Sequence, residues 1–156
     1  MDGFLAFKYL HIVSMFFAVA LAVSGDIVIR RVAATRDARA IRVVTGRVRP
    51  LANLSTILFL AGVAFGIVAA LTGQIDLLAP WLILAYVAFL TAMAIGITIA
   101  DPWVSRLEAA SAGSPDGTPS ESLQAVIDDP RARAGTWALM LLVATLVFLM
   151  VVKPFA

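Results

Sequence analysis

LANLSTILFLAGVAFGIVAAL, residues 51–71, contains no charged side chain and only a few small polar ones. A helix of about 20 apolar residues crosses a hydrocarbon core about 30 Å thick. A run of this length is too apolar to be a half-exposed helix in water and too long to be a buried strand. Lipid leaves open strand edges without hydrogen-bond partners, so the backbone must satisfy itself as a helix. Working outward, three more long apolar runs appear: 77–100 and 136–152, which are likewise uncharged, and 4–29, which carries Lys8, His11 and Asp26. The composition agrees. Hydrophobic residues make up 62% of the 156-residue chain and charged ones 14%, against about 45–50% and about 25% in soluble domains. The expected fold class is all-α, a polytopic membrane protein forming one four-transmembrane-helix antiparallel bundle, a single domain over 1–156.

The charges set the orientation. Seven arginines, Arg30, Arg31, Arg36, Arg39, Arg42, Arg47 and Arg49, lie in the connection 30–50, and Arg106, Arg131 and Arg133 lie in 101–135. The turn between the second and third runs has no basic residue, and the ends contribute only Lys8 and Lys153. Positive residues stay on the cytoplasmic side, so both basic connections are expected inside and both termini outside. The same arginines oppose cleavage of the first run as a signal peptide, despite the small residues Ala22-Val23-Ser24. Ten arginines against two lysines, with abundant Ala and Val, suggest a GC-rich bacterial genome and hence a bacterial cytoplasmic (inner) membrane. A net charge of +2 points to no nucleic acid. The lipid bilayer is the expected partner, with a homo-oligomer or a larger membrane complex as a further possibility.

Within the connections, Thr35 is expected to cap a helix over 36–48, with Asp37 near its positive end. The apolar residues Ile41, Val44 and Val48 would face the inner leaflet, and Pro50 would break that helix from the next. Residues 111–120 are small, polar and rich in Gly and Pro, the composition of a mobile linker. Asp101 is expected to pair with a loop arginine. Trp81, Tyr86, Trp103 and Trp137 fall near helix ends, as interfacial anchors do. Gly62 and Gly66 form a close-packing Gly-x-x-x-Gly face that Gly73 extends, for internal packing or, as the alternative, a dimer.

Chemistry concentrates in Lys8-Tyr9-Leu10-His11-Ile12-Val13-Ser14-Met15. His11, the one histidine, lies about 10 Å into the first helix at 1.5 Å per residue. Lys8 and Met15 have the spacing to share its face, and ionisable groups inside a span are functional candidates. Three readings follow. His11 ligates a haem b iron, or copper with the soft Met15 thioether beside it. Lys8 and His11 bind an anionic edge such as a propionate or a lipid phosphate. Or Lys8 snorkels to the headgroups while His11 bonds a neighbouring helix. Without cysteine, thiolate metal sites, disulfides and thiol nucleophiles are excluded. No phosphate-binding glycine loop and no zinc-protease helix occurs.

Lys8-x-x-His11, the arginine-rich connection, Pro50 and the glycine-containing second helix resemble a group of small bacterial membrane proteins. The group includes integral membrane proteins of unknown function, the membrane domain of copper-resistance protein D and the HemJ-type protoporphyrinogen oxidases. The resemblance covers mainly 4–105. In the HemJ-type enzymes a Lys-x-x-His at this place is tied to haem binding and activity, which would carry over to Lys8 and His11. The Trp and Gly that closely follow that histidine in the enzymes are missing, since the next glycine here is Gly25, so the uncharacterised relatives are the better match. The expected function is a non-enzymatic membrane protein that binds haem or a metal through His11, or an accessory subunit. The alternatives are a haem-dependent porphyrinogen oxidase and a small oligomeric channel or transporter.

Overall fold

The computed structural model describes residues 2–154 and is helical throughout, with no strand among them. Six α-helices follow in order: α1 (Gly3–Ala34), α2 (Ala38–Thr72), α3 (Pro80–Ile95), α4 (Asp101–Ala112), α5 (Glu121–Ile127) and α6 (Pro130–Val152). Residues Gly96–Ala100 join α3 to α4 as a π-helical turn, making Pro80–Ala112 one rod. Pro102 has no N–H to offer the carbonyl of Thr98, and the helix widens where that ladder bond is missing. Four helical stretches, Gly3–Ala34, Ala38–Thr72, Pro80–Ala112 and Glu121–Val152, are long and apolar enough to cross a membrane. At most 22% of any of their apolar windows is buried. The apolar surface therefore faces outward, as lipid-exposed helices require.

The helices exceed the expected spans because most of the two basic connections is itself helical. Only 35–37 interrupts the first. Thr35 is not the cap of α2: its hydroxyl donates back to the carbonyl of Val32 (2.7 Å), and Asp37 Oδ1 instead accepts from the N–H groups of Arg39 (2.9 Å) and Ala40 (3.2 Å). Arg36 turns the chain in the left-handed conformation, φ 59°. Pro50 lies inside α2 and does not end it. The turns on either side are anchored, since Thr45 and Ser55 are buried, and membrane-type helices tolerate such a proline. Residues 36–48 are thus no separate surface helix, and Ile41 is buried, at 1% exposure.

Two compact units emerge. The first comprises the chain up to Ile29 together with Arg47–Leu77. Here α1 and α2 run antiparallel. The Ser55 hydroxyl donates to the carbonyl of Ala18 (2.9 Å), and both residues are buried. The rings of Phe7 and Phe65 lie 6.3 Å apart. At the closed end, Ile75 N donates to Ala70 O (2.9 Å) and Gln74 N to Leu71 O (3.3 Å), with Gln74 left-handed at φ 50°. This is a Schellman ending that supplies the last carbonyls of α2 with donors.

The second unit comprises Arg30–Gly46 and the chain from Leu78 onward. In it α3 packs on α6. Trp81, Leu82, Ala85 and Ala88 form the buried face of α3, and Ala132, Gly135 and Leu149 that of α6. A Cβ on Gly135 would lie 2.9 Å from the Ile99 side chain. Lys153 sits 5.5 Å over the Trp81 ring at the other end of α6, so the two helices run antiparallel. Trp81 and Trp103 are core residues, 6% and 2% exposed, and not interfacial anchors, whereas Trp137 is 72% exposed. The indole N–H of Trp103 donates to the carbonyl of Val126 (2.9 Å), the partner a buried indole needs.

Candidate functional site

Position 11 falls on the α1–α2 contact of the first unit, between Phe4 over Gly73 and Met15 over Gly62. His11 Nδ1 lies 2.7 Å from the carbonyl oxygen of Gly62. A carbonyl only accepts, so Nδ1 carries the proton and donates. In the neutral ring this leaves the Nε2 lone pair available. The carbonyl can take this bond beyond its own helical one because it has two lone pairs. The approach depends on Gly66: a Cβ there would sit 2.8 Å from Nδ1 and 3.0 Å from Cε1.

The neighbouring contacts repeat the device. A Cβ on Gly62 would meet the Met15 side chain at 3.1 Å, and one on Gly73 would meet the Phe4 ring at 2.6 Å. Phe4, His11 and Met15 thus lie over Gly73, Gly66 and Gly62. The intervals are seven and four residues on α1 and, read backward, seven and four on α2. The expected Gly-x-x-x-Gly face is an intramolecular seat for these side chains. The spacing signal that predicts the pairing was present in the sequence, although the three glycines alone did not reveal their three occupants.

Lys8 does not join this contact. It is exposed, with Nζ 5.5 Å from the centroid of the Phe4 ring. Among the described residues no group of three or more His, Cys, Asp or Glu side chains could hold a metal ion. Copper would find His11 Nε2 and the Met15 thioether, short of the three or four protein donors usual in copper and zinc sites. A single axial bond to haem iron needs only Nε2.

The arginines of the second unit form a lattice that charge counting did not reveal. Arg42 donates to the carbonyls of Ser111 (2.6 Å) and Ser114 (3.0 Å) and pairs with Asp116. Arg36 pairs with Asp128 (2.9 Å), and Arg106 with Asp129 (2.8 Å). Asp101 makes no such pair among the described residues. Residues 111–120 are consequently tied down and do not form a partnerless linker. Ser111 and Ser114 are buried, and Ser114 and Ser120 share a 2.7 Å hydroxyl bond. The intramembrane threonines bond locally. Thr56, Thr91, Thr98 and Thr145 bond carbonyls one turn back in their own helices and bridge no neighbour.

Fold and site together define an all-helical protein with four helices able to span a membrane and one imidazole seated on a glycine face. No family model matches the chain, and neither a curated protein nor a solved structure matches it significantly.

Proposed function

We propose that this chain is a non-enzymatic integral membrane protein of the bacterial cytoplasmic membrane. In this reading it forms a single four-helix domain with both termini outside, and it serves as a scaffold or accessory subunit. His11 is the polar lock of its first helix pair. The observation that carries this reading is the 2.7 Å bond from His11 Nδ1 to the carbonyl of Gly62, made over Gly66. An interhelical bond of this kind meets the need of a polar group placed in a span, at about 0.6 kcal/mol on average and up to about 1.7.

A second reading is supported by the same bond. Nδ1–H donating to a carbonyl is the usual outer-shell arrangement of a ligating histidine, because it fixes the tautomer and strengthens Nε2 as a donor. His11 would then be an axial ligand to haem b, with Lys8 near an anionic edge of the ring. A porphyrinogen oxidase or an oligomeric channel would each need further groups beyond this pair.

Absorption spectroscopy of the purified parent and of His11→Ala separates the two. The lock predicts no Soret band in either protein and a loss of about 1 kcal/mol in the variant. A Soret band in the parent that disappears in His11→Ala, with insertion intact, would establish the ligand reading and displace the lock.

A further inference from the structure

We propose that the second unit holds a binding site for a phosphate group in the pocket bounded by Arg30, Arg36 and Arg133. The pocket has a volume of about 300 Å³, and its floor is the buried pair Ala33 and Trp103. Two of the guanidinium groups are held in place by the protein. Arg30 lies 4.4 Å over the Trp103 ring and donates to the carbonyl of Ala132 (3.0 Å). Arg36 is held by both oxygens of Asp128, at 2.9 and 3.0 Å. The third differs: Arg133 lines the same pocket, and its guanidinium has no hydrogen-bond or ion-pair partner among the described residues.

Planar guanidinium forks match phosphate oxygens in pairs, and groups fixed in advance lose little freedom on binding. Asp128, the one carboxylate on the pocket wall, already occupies Arg36 and competes with an incoming anion. The pocket lies at the last turns of α1, just past the exposed apolar residues Ile27 and Val28. There a phosphate could arrive either on an anionic lipid headgroup or free in solution.

The test uses the full chain in neutral detergent, titrated separately with inorganic phosphate and with a short-chain phosphatidylglycerol, and read by native mass spectrometry. Saturable binding of the lipid alone assigns the headgroup, and saturable binding of inorganic phosphate assigns the free anion. Either result, with a roughly tenfold weaker affinity in Arg133→Gln, as expected for one charge-assisted contact, supports the site. Arg39→Gln removes another guanidinium without a partner among the described residues, from outside the pocket, and should leave the affinity unchanged. Asp128→Asn should bind several-fold more tightly once the competing carboxylate is gone, which keeps the test decisive should Arg133→Gln not fold. No saturable binding of either probe, an equal loss in Arg39→Gln and Arg133→Gln, or unchanged affinity in Asp128→Asn would overturn the proposal.

Discussion

Two regions, the α1–α2 face within the first unit and the arginine-bearing turns within the second, are held by opposite kinds of contact. In the first, bulky side chains of one helix occupy the space left by missing side chains of the other, and the polar bonds that cross end on backbone carbonyls. In the second, long cationic side chains reach across turns to carboxylates and carbonyls. The difference follows the expected solvent. Within hydrocarbon, no hydrophobic force pulls one helix onto another, so close packing and buried hydrogen bonds must do it. Near water a guanidinium can be held partly hydrated at little cost, and one arginine can tie several segments at once.

The largest effect should come from filling the glycine face. Gly66→Val places a Cβ 2.8 Å from His11 Nδ1 and forces the imidazole off the Gly62 carbonyl. A loss of about 3 kcal/mol is expected, from overpacking and the broken bond together, readable as denaturant-induced unfolding in detergent. Gly46→Ala makes the contrast. A Cβ at Gly46 meets nothing within 4 Å, so the change should leave stability intact or raise it by about 0.5–1 kcal/mol through helix propensity. Equal losses in the two variants would remove the distinction between seated and open glycines.

Next in size is Arg42→Met. It keeps the apolar stem but withdraws the donor from Ser111 O and Ser114 O, at a cost of about 2 kcal/mol. Faster proteolysis within 111–120 should accompany it. If cleavage there matches the parent, the arginine does not hold that turn. The smallest effect belongs to Arg36→Ala. Its pair with Asp128 is exposed on both sides, at 46% and 55%, and such pairs contribute about 0–1 kcal/mol. A loss well above that range would show that the second unit depends on its surface charges more than their exposure implies.

The sequence disclosed the spans because apolar length is a local property that any window reveals. It disclosed His11, Gly62 and Gly66 as notable for the same reason, one polar group and two vacancies in an apolar run. The helix over 36–48 was legible from its apolar spacing, but its continuity through Pro50 into the second span was not, nor was the helicity of most of 101–135. The small, polar and helix-breaking residues of 111–120 make the second connection look like a loop, and Pro50 looks like a break when the anchored turns around it are unknown. The ion pairs were hidden because their partners lie far apart in the chain: Arg36 and Asp128 are separated by 92 residues, and Arg42 and Asp116 by 74. The carboxylate of Asp101, adjacent to the helix end and so the natural guess, has no partner among the described residues, while Asp116, Asp128 and Asp129 have one.

The unequal intervals on α1 and α2 work like the cuts of a key. Phe4, His11 and Met15 find Gly73, Gly66 and Gly62 in one alignment only. Slide one helix by a single turn and Met15 finds Gly66 in place of Gly62, but His11 faces Ala70 and Phe4 faces Leu77. Slide it two turns the other way and Phe4 meets Gly66, while His11 is driven against Phe59. Evenly spaced glycines would have offered several nearly equivalent stops. Spacings of seven and four offer one, so the pair carries its own depth gauge, and the hairpin that enters the bilayer has a single place at which to come to rest.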